Sequence, residues 1–229
     1  MTIVGMDSFT EAQKLAGRTV VDPRYPIKTY TLDPIWVLYD RILNITPETV
    51  DSPTRDRFLL SKGHIPGAYY AVLAAKGFIP HDWLTDVAGT HAALGAHPDA
   101  TRAPGVEISS GSLGHGLPLA VGQALGLRAQ GLTMPRVFVL VGDAELDEGS
   151  NHEAIAYAGS VGLDRLTVIV ADNHSARHGW TGGIASHFSV HGWTTGTVDI
   201  TDHDGLARAY RANVPGRPHA VIASTVEGA

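Results

Sequence analysis

The chain has 229 residues, of which 44% are hydrophobic and 17% charged, enough apolar material for one large domain or two small ones. Its net charge of −6 argues against broad nucleic-acid binding, and no apolar run approaches the roughly 18–20 residues that a membrane span needs. No residue is a cysteine, which excludes a disulfide framework, a zinc ribbon and a thiol nucleophile; the N-terminus lacks the basic-then-apolar pattern of a secretory leader, so the cytoplasm is the default expectation.

Residues 1–30 carry no clear hydrophobic period, and Pro23, Pro26 and Pro34 predict an irregular N-terminal arm ahead of a domain spanning 31–229. The apolar residues of 35–43 predict a helix, and Asp51-Ser52-Pro53-Thr54 a turn. Phe58-Leu59-Leu60 reads as a short strand that stops at Ser61-Lys62-Gly63-His64. A helix over 68–76 is closed by Gly77, and 92–100 reads as loop. Gly111-Ser112-Leu113-Gly114-His115-Gly116 precedes a helix over 117–130, whose small residues suit close packing on a sheet.

The most informative stretch follows. Val137-Phe138-Val139-Leu140-Val141 and Leu166-Thr167-Val168-Ile169-Val170 read as strands, with a helix over 150–160 between them. A right-handed crossover makes such strands parallel neighbours. Each ends on oxygen ligands: Gly142-Asp143-Ala144-Glu145 after the first, Ala171-Asp172-Asn173 after the second. Asp143 and Asn173 are thereby predicted to converge on one hard cation, and Mg²⁺ favours oxygen ligands while keeping positions for phosphate or water. The turn at Gly142 and the following helix N-terminus offer N–H groups to an anion, so the layout suits a magnesium-bound diphosphate. Residues 174–195 read as a long functional loop with some helix near 184–191; a strand at Val198, a helix over 204–212 and a strand over 220–223 complete the chain. Alternating strands and helices predict an α/β fold with a mainly parallel central sheet.

Each motif also has a simpler reading. An EF-hand on Asp143, Glu145 and Asp147 fails, because Glu148 stands where glycine is required and Ala154 where a bidentate acid is required. The Gly111–Gly116 loop has the wrong spacing for a dinucleotide fingerprint. His187 and His191 have i, i+4 spacing but no zincin glutamate and no evident third zinc ligand. Asp147 is accounted for by its place near a helix N-terminus.

Several segments, taken in order, resemble the transketolase family. Gly142-Asp143-Ala144 with Asn173 resembles the thiamine-diphosphate motif, Gly-Asp-Gly followed about thirty residues later by Asn. Arg55-Asp56-Arg57-Phe58-Leu59-Leu60-Ser61-Lys62-Gly63-His64, Gly95-Ala96-His97-Pro98-Asp99, Ser110–Gly116, Glu148-Gly149-Ser150-Asn151-His152-Glu153 and His191-Gly192-Trp193 resemble further family segments. The resemblance implies a three-layer thiamine-diphosphate-binding fold. It implies that Asp143, Asn173 and the carbonyl of Ser175 hold Mg²⁺. Gly111, Ser112, Leu113, Gly142 and Ala144, with His64, would contact thiamine diphosphate. His64, His97 and Glu148 would take part in catalysis, His97 facing the substrate and Glu148, with Glu153, lying near a subunit interface.

The implied reaction is transfer of a two-carbon ketol unit from a ketose donor to an aldehyde, a transferase step of carbohydrate metabolism. The cofactor supplies the carbanion chemistry. The segments match only the diphosphate-binding domain, so the expected partner is a separate C-terminal, pyrimidine-binding subunit in an α₂β₂ heterotetramer. Departures from the family pattern are Ala144 for the third motif glycine, His115 for the usual glutamine, and Tyr25-Pro26-Ile27-Lys28-Thr29 where the family has an early Gly-His-Pro. These leave two alternatives open: a thiamine-dependent chain whose donor is a 2-oxo acid such as pyruvate, and a non-catalytic pseudo-subunit.

Overall fold

In the computed structural model, which describes residues 8–19, 29–64, 66–177 and 179–225, five strands, four of them mainly apolar, form one sheet. The strands are β1 (Arg57–Leu60), β2 (Val137–Gly142), β3 (Leu166–Asp172), β4 (Thr194–Asp199) and β5 (His219–Ser224). All pairings are parallel, in the order β1-β2-β3-β5-β4. The predicted neighbours β2 and β3 pair in a register that sets Val141 opposite Val170 and Gly142 opposite Ala171.

Helices cover both faces. Parallel strands buried on both sides read as continuous apolar runs, and β2 is buried along its whole length. Alternate residues then point to opposite faces. Phe138, Leu140, Ile169 and Val221 face α1 (Ser8–Arg18), α2 (Leu32–Arg41), α3 (Pro66–Ala75) and α7 (His203–Arg211). Val137, Val139, Val168 and Ala220 face α4 (Gly116–Ala129), α5 (Gly149–Ser160) and Phe188 of α6 (Gly183–Ser189). Each such Val, Leu, Ile or Phe side chain contributes about 1.5–3 kcal/mol by leaving water. Trp193 is fully buried in the second layer and gives its indole N–H to the Ile155 carbonyl at 2.9 Å, which ties the start of β4 to α5.

Polar groups lock the far end of β1. Asp56 is buried and accepts from Arg136 N at 2.7 Å, Asn44 N at 2.8 Å and Arg136 Nη2 at 2.6 Å. The acidic member of the Arg55-Asp56-Arg57 segment therefore clamps β1 to the start of β2.

One expectation needs correction. Residues 8–18 are not an irregular arm but a helix, because Ala12, Leu15 and Ala16 form an i, i+3, i+4 face that packs into the first core; residues 1–7 and 20–28 lie outside those described. The acidic segment after Asp143 forms a short 3₁₀ turn, Ala144–Asp147, before α5 begins at Gly149. Among the described residues no helix is long and apolar enough to cross a membrane.

Candidate active site

The carboxyl-terminal edge of the sheet gathers four segments: 61–64 after β1, 142–145 after β2, 172–176 after β3, and the glycine-rich loop that enters α4. Glu145 joins three of them. It is only 2% exposed; Oε1 accepts from Ser61 Oγ and, at 3.0 Å, from Gly114 N, while Oε2 accepts from Gly142 N at 3.1 Å. Ser61 Oγ in turn accepts from Gly116 N at 3.0 Å, and Asn151 Nδ2 donates to the Glu145 carbonyl at 2.6 Å. Burial pushes the Glu145 carboxyl above its ordinary range, opposed by these hydrogen bonds and by Lys62.

The loop needs its glycines for contact. Gly114 has φ +78, and a side-chain carbon there would come within 2.6 Å of Glu148 Cβ. One at Gly116 would collide with Ser61.

Asp143, Asn173 and Ser175 come together at the ends of β2 and β3. Asp143 Oδ2 accepts from the backbone N–H groups of Ser175 and, at 2.9 Å, Ala176. Asp143 Oδ1 lies 2.8 Å from Ser175 Oγ, which lies 2.8 Å from Asn173 Oδ1. Burial raises the Asp143 carboxyl, but the hydrogen bonds from Ser175, Ala176 and Ala144 outweigh it and hold the group below the ordinary carboxylate range. His174 makes the turn possible by adopting φ +57, with its N–H on Asp172 Oδ1 at 3.1 Å. The backbone at Ala144 has negative φ, since Ala88 and His174 are the non-glycine residues with positive φ among those described. Alanine in place of the third motif glycine is therefore unstrained, and its N–H is retained.

Lys62 is 4% exposed, and its Nζ lies 3.0 Å from the point where a side chain at Gly142 would start. Burial lowers its pKa, while Asp143, Glu145 and Asp172 act to raise it. His64 is also lowered, by burial, then by Lys62 and His97. The His97 ring packs on Gly111, 3.1 Å from the position of a side-chain carbon there, and Tyr70 Oη donates to the His97 carbonyl at 2.9 Å. Ser112, Leu113, Glu148 and Glu153 are exposed, with Glu148 against Gly114. Gly142 gives its N–H to Glu145, so it has no free donor to offer a ligand.

Lys62, Glu145 and Ser61 do not stand out as site residues in the sequence. Glu145 sits in an acidic run that reads as a solvated helix start, and only its burial reveals the knot. Lys62 and Ser61 had a signal, since both lie in the segment that runs into His64.

The donor set fits Mg²⁺ bound with a diphosphate. It supplies one ionised carboxylate, an amide oxygen and a hydroxyl, all hard oxygens, beside a buried ammonium and a loop of backbone N–H groups. Among the described residues no three or more His, Cys, Asp or Glu are grouped to hold a metal. His152, His187 and His191 lie in a row of neighbouring rings, with His187 stacked on Trp180 at 3.9 Å between centroids.

Residues 28–229 match the sequence profile described as transketolase, thiamine diphosphate binding domain. The chain belongs to the transketolase family. This transketolase-family chain is 52% identical over 218 residues to a Rhodococcoides fascians protein described as ferredoxin fas2, covering 95% of this chain and 72% of that one. The present sequence has no cysteine with which to ligate an iron–sulfur cluster. It is 38% identical over 201 residues to an apulose-4-phosphate transketolase subunit from Actinobacillus succinogenes, covering 84% of this chain and 72% of that protein. A Pichia stipitis transketolase in complex with fructose-6-phosphate superposes with a TM-score of 0.85 at 24% identity, over 96% of this chain and 36% of the other. That likeness shows the fold: an α/β domain built on a five-stranded parallel sheet. The transketolase-family chain thus spans about a third of that solved enzyme.

Proposed function

We propose that this chain is the N-terminal, diphosphate-binding subunit of a two-component transketolase, moving a two-carbon ketol unit from a ketose donor to an aldehyde acceptor. The carrying observation is the convergence of Asp143, Asn173 and Ser175 beside the glycine-rich loop at the carboxyl-terminal edge of the sheet. That edge is where parallel α/β sheets bind ligands. Relatives whose names make them single subunits of a transketolase, and of which the matched part makes up 72%, support the division of the enzyme into two chains.

Thiamine diphosphate would supply the carbanion chemistry. Asp143, Asn173 and Ser175 would hold Mg²⁺, and Lys62 would add a second positive charge toward the diphosphate. The N–H groups of Gly111, Ser112, Leu113 and Ala144 would line the anion's cradle, while Glu145 keeps the loop in place. His64, half-buried and shifted toward the neutral form, would act as a hydrogen-bond partner at neutral pH, and His97 would face the substrate. A separate pyrimidine-binding subunit would complete the site in an α₂β₂ assembly. Leu113, beside the Gly114 that Glu148 packs against, and Tyr157, one helical turn from Glu153, are exposed large apolar side chains, which supports a protein contact on that side.

The test is calorimetric titration of thiamine diphosphate with Mg²⁺, on this chain alone and mixed with its partner chain, followed by donor assays. Binding only in the mixture, with ketol transfer from a ketose, is expected. Ketose turnover by the isolated chain would overturn the two-component reading. CO₂ release from pyruvate would instead mark a 2-oxo acid enzyme, and no binding in a confirmed complex a pseudo-subunit.

A further inference from the structure

The opposite, amino-terminal edge of the sheet holds a cavity of about 220 Å³, between the second half of α4, the loop that enters β2 and the loop that enters β3. The buried residues that line it are apolar: Ala124, Leu127, Pro135 and Leu163. An apolar space of about 150 Å³ holds one benzene ring. This cavity therefore has room for a single ring, or a branched alkyl group, with a short polar arm.

The charges around it are unbalanced. Two exposed guanidinium groups, those of Arg128 and Arg165, line the cavity in a chain whose net charge is −6. Arg128 has a structural task, since its Nη1 donates to the Val161 carbonyl at 2.9 Å just beyond α5. Arg165 makes no side-chain hydrogen bond or ion pair among the described residues. Asp164, which also lines the cavity, is already engaged: its Oδ2 accepts from Gly216 N at 3.0 Å. Both α4 and α5 end here, at Ala129 and Ser160, and the negative ends of their dipoles disfavour a multiply charged anion such as a phosphate. A single carboxylate asks less, and a guanidinium can hold it with two parallel hydrogen bonds.

We propose that this cavity is a binding site for a small monocarboxylate with an apolar body, an arylalkanoate or a branched alkanoate, whose body covers Leu127 and Leu163 and whose carboxylate meets Arg165. The site is independent of the function read from the other edge of the sheet.

The experiment titrates the full chain with 4-fluorophenylacetate, followed by ¹⁹F line broadening and by the protein's backbone amide shifts. The neutral isostere 4-fluorophenylacetamide is the control. Saturable binding of the acid at about 1 mM or below is expected, with the amide and the Arg165→Gln variant at least about tenfold weaker. Arg165→Lys, which keeps the charge but not the fork, is expected to fall between. Arg165 is exposed, so these variants leave the core untouched. Amide shifts are expected at Leu127, Thr133 and Leu163, and none at Gly114, Asp143 or Ser175. No saturation by about 10 mM overturns the proposal. So does acid binding that Arg165→Gln leaves unchanged, or shifts confined to Gly114, Asp143 and Ser175, which would place the acid at the candidate active site instead.

Discussion

Two loops reach the carboxyl-terminal edge of the sheet, and each is held by one of two carboxylates two residues apart. The glycine-rich loop is held by Glu145, which is enclosed and spends both oxygens on protein donors. The loop after β3 is held by Asp143, which spends one oxygen on two backbone N–H groups and leaves the other toward Ser175 and Asn173. Their electrostatics differ in the same sense. Burial raises the Glu145 carboxyl, while hydrogen bonding holds that of Asp143 below its ordinary range. One short turn thus contains an acid that fastens the fold and an acid with an oxygen to give a ligand.

That division of labour is open to direct test. Glu145→Ala leaves Ser61 Oγ and the N–H groups of Gly114 and Gly142 without their acceptor, and a cost of about 3–5 kcal/mol is expected in urea unfolding. Asp143→Ala strands donors nearer to solvent, so about 1–2 kcal/mol is expected, together with loss of Mg²⁺-dependent cofactor binding. Equal destabilisation by the two would break the comparison. Gly114→Ala adds left-handed strain to a clash with Glu148 and is expected to cost about 2–3 kcal/mol and to weaken cofactor binding, read by unfolding and calorimetry.

A smaller effect belongs to α6, the short helix that follows the loop after β3. His187 is buried against Trp180, and burial, then His152 and His191, push its pKa down to about 4 from 6.5. The unfolded chain therefore binds the extra proton first. This stability is fully present above about pH 6.5 and is lost as pH falls toward about 4. A loss of about 1–2 kcal/mol across that window is expected in pH-dependent unfolding, and His187→Phe should remove it. The smallest effect belongs to His174. At φ +57, His174→Gly relieves strain but adds unfolded-state entropy, so stability should stay within about 1 kcal/mol of the parent, with the Ser175 contacts intact by crystallography.

The core of the fold was readable because its signals are local. The apolar runs of β2 and β3, each closed by a turn carrying Asp143 or Asn173, name two parallel neighbours with these oxygen-bearing side chains at one end. The helix over Ser8–Arg18 was missed because its buried face, Ala12, Leu15 and Ala16, is made mostly of small residues whose period is faint until α3 packs against them. Glu145 and Lys62 were missed for a different reason. In a sequence a charged residue reads as solvated, and only the closing of β1, β2 and the glycine-rich loop around these two removes them from water.

Sequence by itself therefore determined the α/β alternation, the family, and the pairing of Asp143 with Asn173, since each depends on residue type and spacing along the chain. Tertiary structure alone decided the strand order, the knot at Glu145, and the return of the Ser175 hydroxyl to Asp143. Those depend on which distant segments share a hydrogen bond, and spacing along a chain does not encode distance across a fold.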